Sequence, residues 1–208
     1  MRPVFKAFLL FCALAMVVVT AGSVYLMSSG FSARPDPGGF ETFAALRIRN
    51  MAISRQARDL VNPEERTPEI IASGREHFAD HCASCHANDG SGNTALGQGL
   101  YPRAPDMRLA RTQELSDGEL FYIIENGVRL TGMPAWGTGE ASGIAASWHL
   151  VHFIRHLPEV SEPELEEMAG LNPAPPAEVR QRILEQQFLE GGDPVPPSTA
   201  TPASPHKH

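Results

Sequence analysis

The sequence predicts an all-α domain preceded by one membrane-spanning helix. Three observations predict it: a long uncharged apolar run near the N-terminus, apolar residues recurring at helical spacing through the middle of the chain, and no sustained alternation at the strand period. The 208 residues suffice for one folded domain of roughly 100 to 150 residues with extensions. Three cysteines exclude a disulfide scaffold, and 17 basic against 24 acidic residues give no footprint for nucleic acid, so no nucleic-acid partner is expected.

Residues 1–27 read as an anchor or signal. Ala7 to Met27 is 21 residues without a charge, which as a helix rising 1.5 Å per residue crosses a hydrocarbon core of roughly 30 Å. Arg2 and Lys6 lie ahead of it and favour a cytoplasmic N-terminus with everything beyond exported. The run exceeds the roughly 7 to 15 apolar residues of a signal peptide, which favours a retained helix in the lipid bilayer over cleavage near Ser32 and Ala33. Cys12 reads as a small apolar side chain in that helix.

Residues 28–69 read as a linker and an amphipathic helix. Ser28 to Gly39 is a Ser, Gly and Pro tether, and Phe40 to Val61 a helix with Arg47, Arg49, Arg55 and Arg58 among apolar residues, ended by Asn62 and Pro63. Packing on the membrane-facing side of the domain is its expected role, with contact to anionic lipid as the alternative.

Residues 70–158 form the folded domain. Thr67 and Pro68 open a helix that runs through Ile70, Gly74 and Phe78 into His81 and Cys82. Six glycines and prolines between Asp89 and Pro105 predict loop. Leu115 to Asn126 is the next helix, with Ser116 and Glu119 placed as a capping box and Gly127 as a left-handed terminator. Gly132 to Gly143 is loop, and Ala145 to Leu157 a final helix stopped by Pro158.

Residues 159–193 are an acidic helical extension, with helices at Glu162 to Met168 and Pro176 to Leu189. Nine acidic and two basic residues there predict a solvated appendage, or else a docking arm for a basic partner. Residues 194–208 are of low complexity and read as a disordered tail.

The chemistry concentrates at Cys82, Cys85 and His86, a C-x-x-C-H run of the kind that attaches haem c covalently. Two thiols separated by two residues lie on one helical turn, where each can form a thioether to a porphyrin edge, and the adjoining imidazole can come under the ring to the iron. A redox dithiol would not need His86, and zinc would need distant ligands, because the third cysteine lies in the apolar run. One cysteine pair means one haem. Met133, in Gly132, Met133 and Pro134 between two predicted helices, is the favoured sixth ligand; it lies 47 residues beyond His86. A thioether there raises the reduction potential and leaves an iron suited to electron transfer. Met107, His149, His152 and His156 are the rivals, and the histidines read as surface or helix-end groups.

These residues resemble the single-haem class I cytochromes c, in particular the membrane-anchored bacterial kind, over about Ile70 to Pro158. The resemblance implies metal ligands His86 and Met133, haem-binding residues Cys82 and Cys85, and a proline carbonyl orienting the proximal imidazole, placed at Pro105 with Pro102 as the alternative. It also implies an aromatic contact of Phe78 with Trp148 or Phe153, and a cytochrome c maturation system acting after export.

The expected function is then a non-enzymatic carrier of single electrons between membrane donor and acceptor complexes, held on the bacterial inner membrane by one helix with its haem domain in the periplasm. A fixed electron-transfer subunit of a larger oxidoreductase or terminal oxidase is the alternative, and a gas-binding haem sensor a third reading.

Overall fold

A computed structural model describes residues 2–29, 32–174 and 176–190, and these are helical without a strand. The chain divides into two units, Met1–Leu171 and Asn172–His208. The expected 194–208 tail lies outside the described residues.

The first helix, α1 (Arg2–Ser29), contains a segment, Pro3–Tyr25, long and apolar enough to cross a membrane, and its large side chains are exposed along its length. The expected single helix over 40–61 is instead two, α2 (Gly39–Ala52) and α3 (Arg55–Arg58). The break has a local cause: Ile53 turns into the core at 4% exposure, and the Ser54 hydroxyl then caps α3 by accepting from the Ala57 N–H at 3.1 Å. No residue of α2 is fully buried; Thr42, Ala44, Leu46 and Arg49 are half-buried and its other residues are exposed.

Thr67 caps α4 (Pro68–His77), with Pro68 in its first turn. The helix continues through a wide turn, Phe78–Cys82, in which the Ala83 N–H bonds back five residues to the Phe78 carbonyl, and then into α5 (Ala83–His86). One extra residue in a turn rotates everything after it by roughly 100° relative to α4, which re-aims the cysteine segment.

The 89–105 stretch, expected as loop throughout, includes a short helix, α6 (Ala95–Gly99), whose N-terminus Thr94 caps. After α7 (Ala110–Gln113) comes α8 (Asp117–Asn126). Its capping box is complete, with the Glu119 N–H donating to the Ser116 hydroxyl at 3.1 Å and the Ser116 N–H to the Glu119 carboxylate at 2.9 Å. Gly127 ends α8 at positive φ (65°) but with ψ of −169°, so the chain leaves extended and not in the expected left-handed helical conformation.

The last long helix, α9 (Ala141–His156), starts a turn earlier than expected and crosses α4. At the crossing Gly74 lies against the His149 backbone carbonyl, and Phe78 meets Phe153 with ring centroids 5.1 Å apart. Phe153 is therefore the contact of Phe78, while Trp148 stacks on Phe121 of α8 at 4.0 Å.

Beyond a short 3-10 turn (Leu157–Glu159), α10 (Glu162–Leu171) packs on α4 and the wide turn, so this half of the acidic stretch is not a solvated appendage. Met168 is fully buried, and Arg75 pairs with both Glu164 and Glu167. Burial pushes the Glu164 carboxyl up, but hydrogen bonds from the Ser161 N–H and hydroxyl and from His156 outweigh it and hold the group at about 2. A depressed folded pKa contributes stability that is complete above the ordinary carboxylate range and is lost as pH falls through the folded value. The protection of α10 amides, relative to the intrinsic exchange rate at each pH, is expected to fall as pH falls from about 4.5 toward 2, and this acid step is expected to vanish in Glu164→Gln. The second unit holds α11 (Pro176–Leu189), with the bounds the sequence suggests.

Candidate haem site

The site is built where the α4 line ends. Cys82 and Cys85 carry free thiols one turn apart and precede His86 directly. Burial and the neighbouring Cys85 push the Cys82 thiol up to about 12, the opposite of the lowered pKa that a reactive redox dithiol needs. Burial also pushes the His86 imidazole down, offset in part by the Pro105 backbone carbonyl beside it, so the ring is held in the neutral state that can coordinate iron. The His86 Nδ1 is buried and lacks a partner of full hydrogen-bond geometry; Pro105, not Pro102, supplies the adjacent carbonyl.

The glycine-rich segment wraps around this turn. The Gly92 N–H donates to the His86 carbonyl at 2.8 Å, and the Thr94 hydroxyl donates to the Ser84 and Cys85 carbonyls at 2.8 and 3.2 Å. Gly92 has φ of 71° and lies so close to the Ala104 carbonyl that a Cβ would overlap it, which explains why glycine stands there. The Met107 N–H closes the wrap on the Gly90 carbonyl at 2.8 Å, which fixes Pro105 behind the imidazole.

Ala87 ends α5 at φ 58° and ψ 158°, a region that only glycine occupies freely. Relief of that strain exceeds the extra unfolded-state entropy of glycine. Ala87→Gly is expected to stabilise the domain by about 1 kcal/mol, measured as a raised Tm; a lowered Tm would show that the Ala87 backbone is unstrained.

Met133 lies in a loop tied down at both ends. The Val128 N–H donates to the Met133 carbonyl and the Met133 N–H to the Thr131 hydroxyl, both at 3.1 Å, and the Trp136 N–H reaches the Ile124 carbonyl at 3.0 Å. The loop meets the cysteine segment through Trp136, edge-on to His81 at 5.4 Å, and the glycine-rich segment through Gly132, which abuts Leu100. Met133 is half-buried.

The rival ligands are occupied elsewhere. Met107 belongs to the core at 8% exposure. His149 Nδ1 meets the Ser73 hydroxyl at 3.0 Å, His152 Nε2 the Glu64 carbonyl at 2.9 Å, and His156 Nε2 the Glu164 carboxylate at 2.9 Å. His152 is a buried group, not a surface one, because α9 is covered by the segment ahead of α4 as well as by α4 itself. No three His, Cys, Asp or Glu side chains among the described residues converge as a metal site.

Residues 69–154 match the family model described as cytochrome C oxidase, cbb3-type, subunit III. This segment is a cytochrome c domain. Such a domain binds haem c covalently, with its iron, and the features of this chain fit that group: two unpaired thiols one turn apart, a half-buried imidazole set against the Pro105 carbonyl, and a sulfur-bearing loop tied to the same segment. The match spans less than half the chain, and α1, α2, α3, α10 and α11 lie outside it.

Sequence reasoning missed the two features that shape the surroundings. The wide turn at Phe78–Cys82 leaves the apolar spacing almost unchanged, and the Thr94 clamp on the cysteine turn joins residues ten apart through backbone carbonyls that any sequence would offer. A threonine ahead of a glycine-containing helix turn was the one available signal for Thr94.

Proposed function

We propose that this cytochrome c domain carries single electrons between membrane redox complexes through one haem held by Cys82 and Cys85, with His86 and Met133 as the axial pair. The observation that carries the reading is the Cys82–His86 turn, in which two free thiols adjoin a half-buried imidazole whose Nδ1 is buried beside the Pro105 carbonyl. Bound haem supplies a one-electron iron couple. Cys82 and Cys85 fix the porphyrin edge, and the Pro105 carbonyl beside His86 sets the imidazole's orientation and basicity. Met133, in the hydrogen-bonded loop, would supply the second iron ligand, and a haem held by both His86 and Met133 would pass electrons without activating a substrate.

In this reading α1 is a retained single-pass anchor in a bacterial inner membrane, the haem domain faces the periplasm, and a maturation system joins the haem there. Arg2 and Lys6 ahead of the apolar run support that direction. The test is a redox titration of purified membranes: a c-type α band that titrates as one one-electron centre, unshifted by carbon monoxide, is expected. A carbon monoxide complex of the native reduced protein would overturn the axial assignment in favour of a gas-binding site.

A second reading, a fixed subunit of a terminal oxidase, is favoured by the description of the matching family as an oxidase subunit. A stoichiometric complex surviving mild detergent supports it, and a solitary protein supports the carrier.

A further inference from the structure

The helix α2 has two faces, and only one is used within the chain. Thr42, Leu46, Arg49 and Ile53 recur at helical spacing, are half-buried or buried, and face the domain. About 135° around the helix, at 100° per residue, runs a second stripe of Phe40, Phe43, Arg47 and Met51. Phe40 is 85% exposed, Phe43 57% and Met51 84%, with Ile48 beside them at 68%. Contiguous large apolar side chains in water mark a surface that something covers.

Three observations identify what covers it. The residues between α1 and α2 number nine, 30–38, and even fully extended span only about 30 Å, so α2 begins close to the membrane that α1 enters. The stripe carries one charge, the Arg47 guanidinium, which sits 5.2 Å over the Phe43 ring, so a cation stands among the exposed apolar side chains, the pairing that suits the boundary between acyl chains and an anionic headgroup layer. The nearby acids are engaged with the domain: Glu41 accepts from the Tyr101 hydroxyl at 2.6 Å and Asp36 pairs with Arg103 at 3.2 Å. These two ties also hold the helix so that its second stripe stays outside the domain.

We infer that α2 lies in the headgroup region of the bilayer, with Phe40, Phe43 and Met51 inserted toward the acyl chains and Arg47 among the phosphates. This rests on the reading of α1 as a retained anchor. Its consequence is orientational. Because α2 is tied to the Tyr101–Arg103 segment that leads into Pro105, seating α2 on lipid fixes how the His86 side of the domain faces the membrane.

The test uses the full-length holoprotein in nanodiscs of phosphatidylcholine and phosphatidylglycerol. Spin labels are placed singly through Phe43→Cys, Met51→Cys and Gln56→Cys in a Cys12→Ser background. Oxygen collisions are expected to exceed those of a water-soluble nickel chelate several-fold at 43 and 51, and the ratio is expected to invert at 56. On the unaltered protein, a photoactivatable phospholipid is expected to leave adducts on the peptide spanning 40–51. Water-exposed labels in protein that resists an alkaline carbonate wash would overturn this inference alone, whereas release by the wash would overturn the anchor and the inference together. Labels shielded from both oxygen and nickel would overturn it in favour of a protein partner.

Discussion

Met133→Ala is expected to leave the domain folded and to open the sixth coordination position of the iron. The loop is held by hydrogen bonds at Val128, Thr131 and Trp136 that do not involve the Met133 side chain, and that side chain lies outside the core cluster. Deleting the thioether removes the ligand that raises the potential, so the reduction potential falls and the reduced variant binds carbon monoxide stoichiometrically where the native protein binds none. The thioether-to-iron charge-transfer band is expected to disappear. If it persisted, the sulfur would belong to another residue, and Met107 would have to leave a core in which it is 8% exposed.

The second large effect is on folding. Gly74→Val is expected to destabilise the domain by about 3 kcal/mol or more, because the crossing of α4 and α9 leaves no room for a side chain. A Cβ at Gly74 would overlap the His149 carbonyl and stand 3.0 Å from the Phe153 Cβ. The first obstacle is backbone, which cannot turn aside as a flexible side chain can, so the helices must separate and loosen the Phe78–Phe153 contact. Denaturant unfolding of the holoprotein measures this, and an unchanged midpoint would show that the helices part without cost. The loss should reach the site, since Phe78 begins the wide turn that ends in Cys82.

The residues around the haem turn were legible because their chemistry is local. Cys82, Cys85 and His86 are contiguous, and the Ser116–Glu119 capping box needs only its own four residues to be recognised. Features that depend on distant partners were not. Met168 and Leu165 are apolar residues among glutamates, and nothing in that short pattern shows that Met168 is buried against the α4 segment some ninety residues earlier. Likewise α2 has apolar residues on two sides, and its spacing alone could not tell which face meets the domain; Ile53 and the Ser54 cap decide it by ending the helix where the chain turns inward. His152 read as a surface group because the loop carbonyl of Glu64 that covers it leaves no trace in periodicity.

The central assignment is tested most directly by peptide mass analysis of the protein purified from its native membranes, denatured and exposed to a thiol-alkylating reagent before digestion. The peptide containing Cys82, Cys85 and His86 is expected to carry the mass of one haem and no alkyl group. Recovery of that peptide without haem and alkylated at both cysteines would contradict the account.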